Sequence, residues 1–401
     1  MTQPETPVPP SAGSTSVETA ATSPPSEAEV RVQLFARTDV GQVREHNEDN
    51  FLVADLSRRS RGLLEANRAT VIGPQGAVFA VCDGMGGAAA GEIASQLAVD
   101  IIYERLVDGL GDRGVRRDDL ARRLVRAVES AGLRIFHEAK ADRSRRGMGT
   151  TVTAAALVDE VLFFAQVGDS RGYLLRGDTL VQLTRDQSLV NQLIEAGQLT
   201  EEEAETFEHN NIILQALGTS DTVQVDLTYC ELRRGDILLL CSDGLSGMVR
   251  FEDIRETLRA GAEPLDICKA LTERANQSGG HDNITVIIVQ FDGVGLKPFE
   301  AESDPLKYRK YILADESMDE KTAPMAAVHI GGPAAGGKTD IRGTDGHLRV
   351  PSQPPAGWHE QGVHDYDRVD IPGTHVPIWM VIGIVAGVVV LLAGTAFLLL
   401  R

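Results

Sequence analysis

The sequence predicts an α+β domain over residues 30–292 of a 401-residue chain, followed by an apolar span close to its C-terminus. Two observations carry the domain. Short apolar runs of strand character alternate with helical stripes inside 30–292, and the composition changes sharply on both sides. A third carries the span: Ile378–Leu400 holds 23 residues without a charge. A domain of this size is what one hydrophobic core usually organises. The chain holds 58 acids against 39 bases, a formal charge of −19, which argues against nucleic acid as a partner. Cys82, Cys230, Cys241 and Cys268 form no CxxC pair, so reduced thiols are expected rather than a disulfide framework or a zinc ribbon. No apolar stretch follows Met1, so no secretory signal is expected.

The elements follow in order. Residues 1–29 contain four acids, no bases and much Pro, Ser and Thr, and such a tail cannot bury enough surface to order itself. Ala77–Cys82, Val161–Val167, Ile237–Cys241 and Ile284–Val289 are short, apolar and rich in branched or aromatic residues, as buried strands are. Gly172–Arg176 and Thr179–Leu183, joined by Gly177-Asp178, predict a hairpin with a Gly-first turn. Gly91–Leu110 and Asp118–Lys140 predict helices. The first carries a stripe of Ile93, Leu97, Ile101, Leu106 and Leu110, the second one of Leu120, Leu124, Val128 and Ile135. Residues 293–377 return to Gly, Pro, Asp and His, with one aromatic patch around Tyr308 and Tyr311, and read as a flexible linker. The 23-residue span is long enough to cross a hydrocarbon core of ~30 Å as a helix. With only Arg401 beyond it, it reads as a single-pass tail anchor that leaves the domain in the cytoplasm. Gly383 and Gly387 form one GxxxG, by which two such helices can pack, though the oligomeric state stays open.

The acids sit at strand ends. Asp83, Asp169 and Asp243 follow three of the strands, whereas Asp49 and Asp282 precede strands. Antiparallel pairing sets the end of one strand beside the start of the next, so all five can collect at one sheet edge. Any one alone is an ordinary turn or capping residue. Together they repel unless a cation sits among them. An all-oxygen donor set selects Mg²⁺ or Mn²⁺ over Zn²⁺. Glycine after Asp (Gly84, Gly244) lets a backbone carbonyl join the ligands. Two such ions acidify a shared water and clamp the oxygens of a phosphoryl displacement. Arg44, beside Glu48 and Asp49, supplies a fork for a phosphate.

These blocks resemble the metal-dependent protein phosphatases, the protein phosphatase 2C family, over nearly all of 30–292. The ordered matches are Arg44-x-x-x-Glu48-Asp49, Asp83-Gly84-Met85-Gly86-Gly87, Gly149-Thr150-Thr151, Val167-Gly168-Asp169-Ser170-Arg171, Ser242-Asp243-Gly244 and Asp282-Asn283. The resemblance implies a four-layer αββα sandwich, here with one C-terminal transmembrane helix added. It implies that Asp83 bridges two Mn²⁺ or Mg²⁺ ions, one of them also bound by the Gly84 carbonyl, while Asp243 and Asp282 hold the other. Glu48 and Asp49 would hold metal-coordinated waters and Arg44 the substrate phosphate. Asp169, with Asp243, matches the third-metal site of bacterial members. The Gly149-Thr150-Thr151 block would support the site, and residues 186–211 match a variable flap beside it. Many eukaryotic relatives carry a proton-donating His where this chain has Met85; His46 and His281 are the nearest substitutes in sequence.

The expected activity is therefore hydrolysis of phosphoserine and phosphothreonine in proteins by a hydroxide shared between the ions. The anchor would hold the catalyst near membrane targets such as receptor-type Ser/Thr kinases. The rival from another class is a catalytically silent relative serving as a regulatory scaffold.

Overall fold

In VRVQLFARTD, Val30, Val32, Leu34 and Ala36 are buried while Arg31 and Gln33 face outward, the period-two alternation of a strand with one face on a core. The same logic repeats along the computed structural model. It describes residues 29–313 except 63–68, 87–89, 112, 201–202, 205–206, 208–210 and 301–304. Its strands in chain order are β1 Val30–Asp39, β2 Asn50–Asp55, β3 Ser60–Arg61, β4 Ala69–Ile72, β5 Ala77–Cys82, β6 Gly84–Met85 and β7 Gly149–Thr150. They continue as β8 Val152–Val158, β9 Val161–Val167, β10 Arg171–Arg176, β11 Thr179–Gln182, β12 Asp226–Glu231, β13 Ile237–Cys241 and β14 Ile284–Asp292. The helices are α1 Ala90–Val107, α2 Arg117–Ala141, α3 Leu189–Glu195, α4 Asp243–Ser246, α5 Phe251–Arg259 and α6 Pro264–Gln277.

Two six-stranded antiparallel sheets form the centre. One has the order β11-β10-β13-β14-β1-β4, the other β12-β9-β8-β5-β2-β3. Between them lie Phe79, Val81, Phe164, Leu174, Leu240, Ile287 and Val289. α1 and α2 cover the outer face of the second sheet through Ala94, Ala98, Ile102, Leu120, Leu124, Val128 and Ile135. α5 and α6 cover the first through Ile254, Leu258, Ile267 and Leu271. The layers run α, β, β, α. All four cysteines are buried and unpaired.

One helical stripe differs from expectation. The apolar α1 side chains fully removed from solvent are Ala94, Ala98, Val99, Ile102 and Leu106, whereas Ile93, Leu97 and Ile101 lie at the border of the core. Small side chains turned inward let a helix backbone approach its sheet, so the bulkier residues fill the flanks.

Strand register collects the acids. Asn50 pairs with Cys82, Cys241 with Val286, Asp39 with Ile284 and Val152 with Val167. The residues just beyond these pairs therefore share one end of the sandwich. Gly177, at φ 56°, makes the turn of the expected hairpin, β10 to β11.

The packed region runs on past Asp292, into the stretch read as linker. Lys310 bridges to Thr228, the Tyr229 amide donates to Arg309 O at 3.1 Å, and the Tyr311 amide donates to Leu227 O at 2.8 Å. Tyr311 stands edge-on to Phe163 and Tyr229, with centroids 4.9 and 5.2 Å away. This segment occupies the otherwise open edge of β12, where unpaired amides invite association. The N-terminal tail through residue 28, the rest of the linker and the apolar span 378–400 lie outside the described residues. Among the described residues no helix is long and apolar enough to cross a membrane.

Candidate active site

Asp83 leaves β5 under close backbone control. Its amide donates to Thr151 Oγ1 at 3.1 Å, while its carbonyl accepts from Thr151 N at 2.9 Å and Thr150 Oγ1 at 2.8 Å. The Gly149-Thr150-Thr151 block thus holds the Asp83 loop through its backbone and hydroxyls. Thr151 Oγ1 lies 2.7 Å from Ser170 Oγ, which ties the Asp83 loop to the Asp169 loop. Gly84 passes so close beneath two neighbours that a Cβ there would stand 2.4 Å from the carbonyl oxygens of Glu48 and Gly91. Only glycine lets the backbone through.

Asp49 joins the sheets. Its Oδ2 accepts from Ser242 Oγ at 2.8 Å and Thr285 Oγ1 at 2.7 Å, both on the opposite sheet. Asn283 is the second fastener, accepting from the Glu48 amide at 2.8 Å and donating to the Val40 and His46 carbonyls at 3.0 Å each. The Glu48 carboxylate accepts from the Gly91 amide in the first turn of α1, where the helix dipole favours an anion. Glu48 and Asp49, expected to hold waters, are thus engaged by the protein's own donors. These partners, buried Asn283, Ser242 and Thr285, are the functional residues to which sequence reasoning gave no role.

Arg44 reaches Asp282 directly. Its Nη2 donates to Asp282 Oδ2 at 2.8 Å, and Asp282 Oδ1 accepts from the Asn283 amide at 2.8 Å. The expected phosphate fork and an expected metal ligand are therefore partners across 238 residues of sequence. Both side chains stay partly exposed, at 49% and 35%.

Electrostatics shows what the remaining acids lack. Burial, then the charges of Asp49, Asp243, Asp169 and Asp282, push the Asp83 carboxyl well above the ordinary range. Burial raises Asp49 to about 7 although Thr285 and Ser242 hold its charge, and Asp243 and Asp282 add to the rise. Asp169 rises to about 7 through burial and the charges of Asp243 and Asp186. Asp243 is raised by burial and by Asp282. Such crowding is uphill without a counter-charge.

The donor set fits a divalent cation. Asp49 Oδ1, Asp169 Oδ1 and Asp243 Oδ1 are buried with no hydrogen-bond partner, an arrangement that costs free energy unless something positive meets them. All donors are oxygen, the preference of Mn²⁺ and Mg²⁺. Among the described residues, no group of three acidic, His or Cys side chains is arranged to hold an ion by itself. Asp282 has both of its oxygens engaged, by Arg44 and by the Asn283 amide. Met85 pairs with Gly149 in the small β6–β7 ladder and offers no proton, while His46 and His281 are exposed. Asp186, at the start of the expected flap, is drawn away to Arg171 at 2.7 Å.

Comparison with known proteins identifies the family. The sequence profile described as protein phosphatase 2C matches residues 57–282. The chain belongs to the protein phosphatase 2C family. It is 37% identical over 257 residues to a serine/threonine phosphatase, stp, of Listeria welshimeri, covering 63% of this chain and 94% of that protein. It is 38% identical over 261 residues to the protein phosphatase PhpP of Streptococcus pneumoniae, covering 65% and 98%. The crystal structure of the catalytic domain of the phosphatase PstP in complex with two manganese ions superposes with a TM-score of 0.54. That pair is 35% identical, and the match covers 66% of this chain and all of that domain. The αββα layers described above are thus those of a protein phosphatase 2C fold.

Proposed function

We propose that this chain is a metal-dependent phosphoserine/phosphothreonine protein phosphatase held at a membrane by residues 378–400. The observation that carries the activity is the set of buried, unpartnered carboxylate oxygens at one end of the sandwich, with a guanidinium at its rim. The named phosphatases among its relatives, and the two manganese ions of the PstP domain, support the same reading.

Asp83, Asp243 and Asp282, with the Gly84 carbonyl, would hold two ions, and Asp169 with Asp243 a third. Bound Mn²⁺ or Mg²⁺ would supply an acidified water and positive charge against the phosphoryl oxygens. The rest is done by the protein's own side chains. Arg44 presents a planar fork at the solvent-facing rim, where a phosphate monoester arrives. Ser242 and Thr285 fix Asp49, and Asn283 fixes the Glu48 backbone, so the acid loops of both sheets keep one spacing. The exposed rim leaves the leaving oxygen in contact with solvent, which provides the proton that Met85 cannot.

The full chain should hydrolyse a phosphopeptide and p-nitrophenyl phosphate only with Mn²⁺ or Mg²⁺ added, and Asp83→Asn should abolish turnover. Activity surviving EDTA or that substitution would overturn the mechanism. No turnover at any metal concentration would leave a silent scaffold. The apolar, charge-free sequence of 378–400 supports the tether, which would keep the catalyst near membrane-bound kinases and their phosphorylated products. A chain lacking those residues that still sediments with membranes would refute it.

A further inference from the structure

The opposite end of α1 carries a feature that hydrolysis does not require. Between the last turn of α1 and the first turns of α2 lies an open cavity of about 870 Å³. Arg105, Arg113, Arg116, Arg122, Arg123 and Arg126 line it. Only two carboxylates, Asp108 and Asp119, stand among the described lining residues. In a chain of formal charge −19 this is a local reversal of sign.

The reversal is built into α2. Arg116, Arg123 and Arg126, at helical spacing, share a face with Asp119, Ala127 and Ser130. Arg123 braces the end of α1 by donating to Asp108 O at 2.7 Å and Gly109 O at 3.3 Å; carbonyl partners leave its charge in place. Arg116 spends its fork on Asp119, at 2.9 and 3.2 Å. The N-cap of α2, Arg116, supplies no side-chain cap, so the first amides of the 25-residue helix add positive potential beside the cavity. Asp118 and Asp119 in that turn offset part of it.

We propose that this arginine-lined cavity is a docking site for a phosphorylated segment of the protein substrate, distinct from the phosphate being hydrolysed. Guanidinium forks match phosphate oxygens in pairs, which favours phosphate over a dispersed negative charge. The concavity favours a chain segment over a bilayer, which a protein meets with a flat or convex basic face. The cavity is in reach of the catalytic end. From Gly91, beside Glu48, to Arg105 is about 21 Å along α1 at 1.5 Å per residue. Roughly twelve extended residues span about 40 Å, enough to follow the surface between the two. The site selects substrates carrying a second phosphate at such a distance, an inference that rests on the phosphatase reading above.

The test uses the full chain with Mn²⁺ and two peptides of one sequence. Both carry a hydrolysable phosphoserine, and one carries in addition a non-hydrolysable phosphonate analogue of phosphoserine about twelve residues away. The second peptide should show a KM lower by about tenfold at unchanged kcat, a difference that bidentate Arg–phosphate pairing can supply. Arg105→Ala/Arg113→Ala should raise its KM to that of the singly modified peptide, and the Lys/Lys pair should restore part of the advantage. Turnover of p-nitrophenyl phosphate should be the same for all, which shows that the variants are folded. Equal KM values for the two peptides, or an advantage that survives the Ala pair, would overturn the proposal. So would loss of binding to phosphatidylserine vesicles with peptide KM unchanged, which would make the cavity a lipid site. If the chain hydrolyses neither peptide, the phosphatase reading fails. Fluorescence anisotropy of the labelled phosphonate peptide then decides the site, and equal affinity for wild type and the Ala pair would overturn it.

Discussion

Arg44 Nη2 lies 2.8 Å from Asp282 Oδ2, so the side chain suited to grip a phosphate also holds one of the acids suited to grip a cation. A cation on Asp282 would compete with the guanidinium, and a guanidinium released from Asp282 would be free to meet phosphate. Arg44→Ala should therefore act in two directions. The Mn²⁺ concentration for half-maximal activity should fall, while kcat/KM for a phosphopeptide should drop by about ten- to a hundredfold, the scale of a lost charge-assisted pair. An unchanged metal requirement would show that the pairing does not influence loading.

The buried Asp49 carboxylate leans on two hydroxyls. Thr285→Val keeps the shape and removes the donor at 2.7 Å. A lost hydrogen bond to a charged group costs about 1.5–3 kcal/mol, so urea unfolding of the variant should shift by that amount. Its activity should fall as well, because Asp49 would no longer be tied to β14.

Acid titration gives a sign that can be checked. Asp49 and Asp169 are raised to about 7 in the folded chain, whereas an unfolded aspartate titrates near 4. Between these values the folded state binds more protons than the unfolded one, so this contribution to stability is complete below about pH 4 and lost as pH rises through about 7. Mn²⁺ prefers the ionised acids, so its benefit grows over the same window. The gap in Tm between Mn²⁺ and EDTA should be wider at pH 7.5 than at pH 5.5. A gap that narrows with rising pH would contradict the assignment of these acids to the cation site.

Arg176 and Asp236 form an ion pair at 2.7 Å with side chains 3% and 1% exposed. Arg176→Met leaves Asp236 buried without its main partner and should cost about 3–5 kcal/mol in unfolding free energy. Arg176→Met/Asp236→Leu should recover much of that loss, and a double variant no better than the single one would show that the pair is not the source.

The stretch 305–313 predicts its own truncation phenotype. A chain ending at residue 292 loses Tyr311 from Phe163 and Tyr229 and uncovers β12, so it should melt several degrees below one ending at 313 and should aggregate more readily. Equal Tm and equal solubility would mean that this segment only rests on the domain.

Most of the site was legible because its signals are local. Apolar runs ended in Asp, some followed by Gly, and antiparallel pairing allowed those ends to meet. Asp83, Asp243 and Asp282 were expected to gather on that basis, while their roles as ligands rested on the family resemblance. The partners that hold Asp49 were not legible. Ser242 and Thr285 reach Asp49 across 193 and 236 residues, and nothing in either neighbourhood marks a hydroxyl as a donor to a distant acid. Arg44's engagement with Asp282 was hidden for the same reason. On α1, bulk suggested Ile93 and Leu97 as the inward stripe, yet close packing against the sheet selected Ala94 and Ala98. The aromatic pair Tyr308 and Tyr311 was visible, but two rings in a polar stretch do not announce an edge strand to lie on.

The acids hang from different sheets: Asp83 continues β5, whereas Asp243 and Asp282 flank β13 and β14 of the other. A cation shared among them would work as a clasp across a seam, and its grip would read out how tightly the two halves are closed. Trimming Phe79 or Phe164, deep in the seam, should therefore loosen manganese without touching any ligand.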